Sequence, residues 1–439
     1  MKSSQVQARL QDISLDEALR QLTPLINPVP DHRMQPVETV LEHCLGGRLA
    51  STVTAAIDVP LQDTAAVDGY AFHADDLNSE GPTILPVEGH ITAGHPASMP
   101  LRRGTACRIF TGAAMPEGPD TVAMQEECQI HTTDDQGHPH DCPDSRLQVC
   151  LPAGIRRGSN YRQRGENVRK GEVILDQASR IGPSEIGLAA ATGCASLPLL
   201  PAGQVSLLSM GDEVISLESD TLSQPLGHGM IYDSNRPMLA RLLEADGHAV
   251  RDCGIAADTL EAVTDRFRQA CKGADAVISS GGSSAGDEDH ARRAIAALGG
   301  EILLWRLTMK PGRPMAVGII EDVPVFCLPG NPVAAFVCYR LLVAPLLARR
   351  LGSTPAPVMR LPLAAGFDHR HKPGRTEYLR VRLQVTPSGS PQMLLHGRPG
   401  AGVLSSLTGA DGLVEIPADH PHVKKGDMLN FLPFREAGL

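Results

Sequence analysis

Between residues 201 and 353 the spacing of apolar positions alternates between two patterns. Continuous apolar runs such as "QVSLLSM" (204–210) and "ADAVISS" (274–280) predict buried strands. Between them, "SNRPMLARLLEADG", "TLEAVTDRFRQACKG" and "DHARRAIAALGG" space their apolar residues three or four apart, which predicts helices. Strands alternating with helices of this length predict an open, mostly parallel sheet covered on both faces. "EILLWRLTM", "MAVGII" and "VPVFCLPG" add strands before an apolar helix that starts at Asn331.

The flanking segments differ. "ISLDEALRQL" predicts a helix that Ser14 caps, with Glu17 completing a capping box. "PVETVLEHCLGG" (36–47), with Pro at its start and Gly at its end, predicts a second helix. From 59 to 159 short apolar runs are cut by Gly and Pro, which predicts a small β domain. "PSEIGLAAATGC" (183–194) returns to helical spacing. The expected organisation is therefore a discontinuous helical linker domain (10–58 and 160–200), an inserted β domain (59–159), an α/β domain (201–353) and a barrel-like C-terminal β domain (354–439).

Forty Lys and Arg against fifty Asp and Glu leave a net charge of −10, which argues against nucleic acid or an anionic membrane as the main partner. "PVAAFVCYRLLVAPLLA" (332–348) contains Arg340 and Pro345 and is expected to be a buried helix rather than a span. With no signal-type N-terminus, the chain is expected in the cytoplasm with its ten cysteines mostly reduced. Cys128, His131, His138, His140 and Cys142 are zinc-ligand types, but their spacing fits a polar hairpin loop better than a metal site.

"VISSGGSSAGDEDH" (277–290) lies between a strand and a helix, where an open parallel sheet opens its ligand crevice. Ser280, Gly281, Gly282, Ser283 and Gly286 can bring backbone N–H groups close to an anion; an ordinary βα turn has similar composition. Asp287 and Asp289 could cap the next helix or, with a divalent cation, bridge to a phosphate. Glu213 and Asp258 end other strands of the same domain. In "WRLTMKPGRP" (305–314), strand alternation would put Arg306, Thr308 and Lys310 on one face. Pro311 and Gly312 turn the chain beside Arg313, and "LPGNPV" makes a second turn with Pro329, Gly330 and Asn331. Acids beside cations suit an oxyanion and a phosphate held together.

"SSGGSSAGDEDH", "MKPGRP" and "LPGNPVAA", preceded by "AVDGYA", "IFTGAAMPEG", "YRQRGENVRKG" and "YDSNR", resemble the MoeA family in that order and over nearly the whole chain. The resemblance implies a MogA-like α/β domain and a homodimeric transferase of molybdenum-cofactor biosynthesis. It implies molybdate and adenylylated molybdopterin as substrates, with Mg²⁺ assisting release of AMP. Other proteins of the same biosynthesis would be partners. By the resemblance Asp68, Thr111, Glu213, Asp258, Asp289 and Lys310 carry the reaction, and Arg306 supplies a further positive charge. Asp258, Asp287 and Asp289 are the implied metal ligands. The family's Gly-Glu-Asp is Gly165-Glu166-Asn167 here, and Ser405 and Ser406 both match its small C-terminal residue. Alternatives are a tungstate-inserting variant, a molybdopterin adenylyltransferase and a non-catalytic scaffold.

Overall fold

The computed structural model describes residues 8–29, 33–133, 146–217, 226–281, 290–352 and 358–434. The chain divides into two units, one formed by Met1–Gln35 with Leu200–Leu439 and the other by Pro36–Leu199.

The first unit is built on a seven-stranded sheet. Its strands are β1 (Leu10–Ile13), β2 (Gln204–Met210), β3 (Ala249–Ala256), β4 (Ala276–Ser280), β5 (Glu301–Leu307), β6 (Ala316–Ile320) and β7 (Val323–Leu328), in the order β1-β5-β6-β7-β4-β2-β3. Every neighbour pair is parallel except those made by β6, which runs antiparallel to β5 and β7. Helices α1 (Leu15–Leu22), α2 (Asn235–Ala245) and the long helix Pro332–Arg350 bury Leu22, Leu243 and Leu342 in one core. Helices α3 (Leu260–Cys271) and α4 (His290–Ala297) bury Phe267 and Ile295 in the core on the opposite face. Each such side chain contributes about 1.5–3 kcal/mol.

Ser14 caps α1 as its sequence requires, accepting from the Glu17 N–H at 3.3 Å. The segment grouped by sequence with the linker thus begins elsewhere: β1 pairs with β5, and α1 joins the α/β core. The long helix contains a π turn at Tyr339–Val343, just before Pro345. Pro345 lacks an N–H and its ring crowds the carbonyl of Leu341, so widening one turn absorbs the misfit. At 19 residues this helix has the length and composition to cross a membrane, but its apolar side chains fill the α/β core, as expected of a buried helix.

After the α/β sheet, β8 (Leu361–Ala365), β9 (Thr376–Val385), β10 (Pro391–Leu395), β11 (Gly412–Ile416) and β12 (Met428–Pro433) close a barrel in the order β9-β10-β8-β12-β11-β9. The two-residue strand Met309–Lys310 leaves the α/β sheet and pairs with Thr376 and Glu377 of β9. Glu415 is partly buried in this barrel; burial raises its pKa, but hydrogen bonds from Arg360, Asn430 and Tyr378 outweigh that and hold it low. Glu377 is likewise raised by burial and lowered further by Lys310 and His369. A lowered folded pKa contributes stability above the ordinary value of about 4.3, and that stability is lost as pH falls through the folded value. Urea midpoints should therefore stay level from about pH 8 to 5 and fall steeply below about pH 4. The fall should be shallower in Glu415→Gln, which starts from a lower midpoint.

The second unit holds a six-stranded sheet, short two-stranded ribbons and the helix Pro183–Ala191. The second predicted helix is absent: Val37–Val40 is a strand paired with Ser196–Leu199, followed by a single 3₁₀ turn. Val37, Thr39 and Val40 are β-branched and suit a strand, which overrides the Pro and Gly punctuation. Helix is correspondingly sparse in the expected linker.

Candidate functional site

Strands β2, β4 and β7 lie side by side, and their carboxyl ends meet where the sheet's winding reverses between β2 and β4. A switch point of this kind is where open α/β sheets bind ligands. A cavity of about 470 Å³ opens there, lined by Ser209, Gly211, Glu213, Tyr232, Asp233, Asn235, Asp258, Ser280, Gly281, Pro329, Gly330 and Asn331 among others. Gly281 has φ +92°, and an added Cβ would lie 2.5 Å from the Met210 carbonyl oxygen. Glycine is therefore required for the close passage of the two strand ends. Asn235 ties the edges together, donating from Nδ2 to Ser280 Oγ and to the Gly330 carbonyl, both at 2.7 Å.

Glu213 and Asp258 are the sequence-predicted acids that reach this cavity, and among the described residues no Lys, Arg or His lines it. Asp258 also donates its N–H to Asp212 Oδ1 at 2.9 Å. Asp233, a wall residue, is committed elsewhere: buried Arg236 bonds it from Nε at 3.0 Å, grips both oxygens of Asp252 with Nη1 and donates from Nη2 to Ser216.

A second cavity of 170 Å³ adjoins the first, sharing Pro314, Pro329 and Asn331 with it. Its walls carry Lys310, Pro311, Gly312, Arg313, Arg375, Glu377 and Arg380. The turn that presents Lys310 depends on Gly312, at φ +105°, where a Cβ would come within 2.5 Å of Cys338 Sγ. Lys310 Nζ sits 2.6 Å from buried Glu377, and Arg313 pairs with Asp12 at 3.2 Å. Arg380 is buried and makes no direct ion pair among the described residues; burial pulls its pKa below the ordinary guanidinium value, and the charge of nearby Glu377 only partly offsets this. It bonds Ser406 Oγ at 2.9 Å and the Arg398 carbonyl at 3.1 Å, which identifies Ser406, rather than Ser405, as the small residue facing this cavity's supports. An anion is the natural counter-charge for a guanidinium held this way.

Arg306 shares the less buried face with Thr308 and Lys310, while Leu307 and Met309 are buried, but it has φ +66° and pairs with Asp12 at 2.9 Å instead of lining either cavity. Gly282, Ser283, Gly286, Asp287 and Asp289 lie outside the described residues, as do His138, His140 and Cys142. In the other unit, Asp68 Oδ1 accepts from both the N–H and the hydroxyl of Thr111 at 2.8 Å, and those bonds hold its pKa low. The adjoining Gly69 permits a close strand contact, since a Cβ there would meet the Ala123 carbonyl. Asn167 donates its backbone N–H to Val59. Sequence inspection missed Asn235, Arg375, Glu377 and Arg380; only the Arg-rich "TEYLRVRLQV" hinted at the last.

An acid-lined strand-end crevice joined to a cation-lined pocket is the arrangement of an enzyme that binds a charged ligand at the switch point of its sheet. The comparisons agree. Residues 13–193 match the MoeA N-terminal region (domain I and II), residues 206–349 a probable molybdopterin binding domain, and residues 362–434 the MoeA C-terminal region (domain IV). The chain is 30% identical over 387 residues to the molybdopterin molybdenumtransferase of Haemophilus influenzae, covering 88% of this chain and 90% of that one. It is 32% identical over 439 residues to that of Bacillus subtilis, covering 97% and 94%. Its fold superposes on the molybdopterin biosynthesis moeA protein from Pyrococcus horikoshii OT3 with a TM-score of 0.74 at 25% identity, covering 96% and 100%. The chain belongs to the MoeA family of molybdopterin molybdenumtransferases, transferases of molybdenum-cofactor biosynthesis.

Proposed function

We propose that this chain inserts molybdate into adenylylated molybdopterin, with Mg²⁺-assisted release of AMP, as a cytoplasmic homodimer. The observation that carries the reading is the division of charge between two joined cavities: among the described residues, carboxylates without cations line one, and mostly cations line the other. The larger cavity suits the pterin nucleotide, and the smaller suits a compact oxyanion. Glu213 and Asp258 fit a magnesium ion, which takes one or two carboxylates and completes its shell with phosphate oxygens and water. Bound there, the ion would neutralise phosphate charge as AMP leaves. Among the described residues no group of three or more ligands gathers. The dithiolene sulfurs belong to the substrate, which suits linings that include no cysteine among the described residues.

The reading is tested with Glu213→Gln and Asp258→Asn, which keep shape and remove charge. Both should release AMP more slowly and need about tenfold more Mg²⁺ for half-maximal rate, roughly 1.4 kcal/mol of lost metal affinity. An unchanged Mg²⁺ requirement in both would refute the assignment.

A further inference from the structure

Glu377 is an odd wall for an oxyanion pocket, because a carboxylate repels anions. It is the one acid lining the smaller cavity among the described residues. Its side chain is 3% exposed and both oxygens are engaged: Oε1 with Lys310 Nζ at 2.6 Å, Oε2 with His369 Nε2 at 2.9 Å. An ionised carboxylate only accepts, so His369 must carry its proton on Nε2 in either charge state. Held by two donors, Glu377 has little left to offer a ligand.

This matters for oxyanions of similar size and charge. Near neutral pH, molybdate and sulfate carry no proton, whereas inorganic phosphate keeps a P–OH. A free, accessible carboxylate would accept that hydroxyl and favour phosphate; a carboxylate whose two oxygens are donor-bound and whose side chain is only 3% exposed turns no open acceptor edge to the anion and offers it only negative charge. We infer that His369 is a specificity-determining residue: by occupying Oε2 of Glu377 it makes the cavity select fully deprotonated oxyanions over hydrogen phosphate. The inference deepens the proposed function and rests on its assignment of the smaller cavity to the oxyanion. Arg380 and Lys310 supply the attraction common to all these anions, and His369 supplies the discrimination. No proton or bond is transferred; phosphate would merely donate a hydrogen bond.

The test is calorimetric titration of the full-length protein with molybdate, followed by competition with phosphate and with sulfate. His369→Phe removes the donor, and His369→Gln keeps one. In the unaltered protein phosphate should compete poorly. In His369→Phe phosphate should compete about tenfold better, the equivalent of roughly one charge-assisted hydrogen bond. Sulfate should be unchanged, and His369→Gln should behave like the unaltered protein. If phosphate and sulfate improve together, the pocket has only loosened and the inference is wrong. If molybdate binds but phosphate is equally weak in His369→Phe, the inference is also wrong while the oxyanion assignment stands. If molybdate does not bind, or binds equally well without the Arg380 guanidinium, the assignment itself fails.

Discussion

Lys310→Ala is expected to lower molybdenum insertion by about 10²–10³-fold, the usual cost of removing one group that stabilises charge in a closed site. Lys310 projects from the turn built on Pro311 and Gly312 into the cation-lined cavity. Its side chain is 58% exposed, so its loss should barely alter stability. Glu377 keeps its bond to His369, which limits the cost of leaving that carboxylate buried. Near-normal urea unfolding with this loss of rate, and with partial recovery at high molybdate, is the predicted result. Full activity at low molybdate would remove Lys310 from the site.

Gly281→Ala should act on both fold and function. At φ +92° an alanine carries backbone strain of about 1–3 kcal/mol. Its Cβ would also press on the Met210 carbonyl, so β2 and β4 would have to separate at their carboxyl ends. The Asn235 bridge to Ser280 and Gly330 would be strained in turn. Thermal unfolding should move several degrees lower, and nucleotide binding should weaken more than that destabilisation explains. A variant with normal nucleotide affinity would show that the edge tolerates the wider spacing. Gly299→Ala is the control, because its positive φ carries the same backbone strain while nothing lies within 4 Å of its added Cβ.

The crevice was legible because its signals are local. Strand and helix periods around "VISSGG" fixed where the glycine turn falls, and Glu213 and Asp258 follow strands of the same winding. The cationic cavity was only half legible. Lys310 and Arg313 announce themselves beside Pro311-Gly312, but Arg375, Glu377 and Arg380 arrive from the barrel through pairing of Lys310 with Glu377 across sixty-six intervening positions. Alternation alone does not separate Arg380 from Arg382, which share a face of β9; Arg380 is buried and Arg382 exposed because the strand runs out of the core. Arg306 keeps the less buried face read from alternation, but its guanidinium turns to Asp12, a partner 294 positions away that no local pattern announces. Residues 36–47 misled because their ends carry helix punctuation while the β-branched interior pairs with a strand over 150 residues away.

The central claim is that the two cavities hold two different reactants side by side. It is tested most directly by crystals soaked with AMP and tungstate, the tungsten located by its anomalous scattering. The account predicts a tungsten peak among Lys310, Arg375 and Arg380, with the nucleotide beside Glu213, Asp258 and Gly281. A peak confined to the acid-lined cavity, or a nucleotide seated away from Gly281, would contradict it.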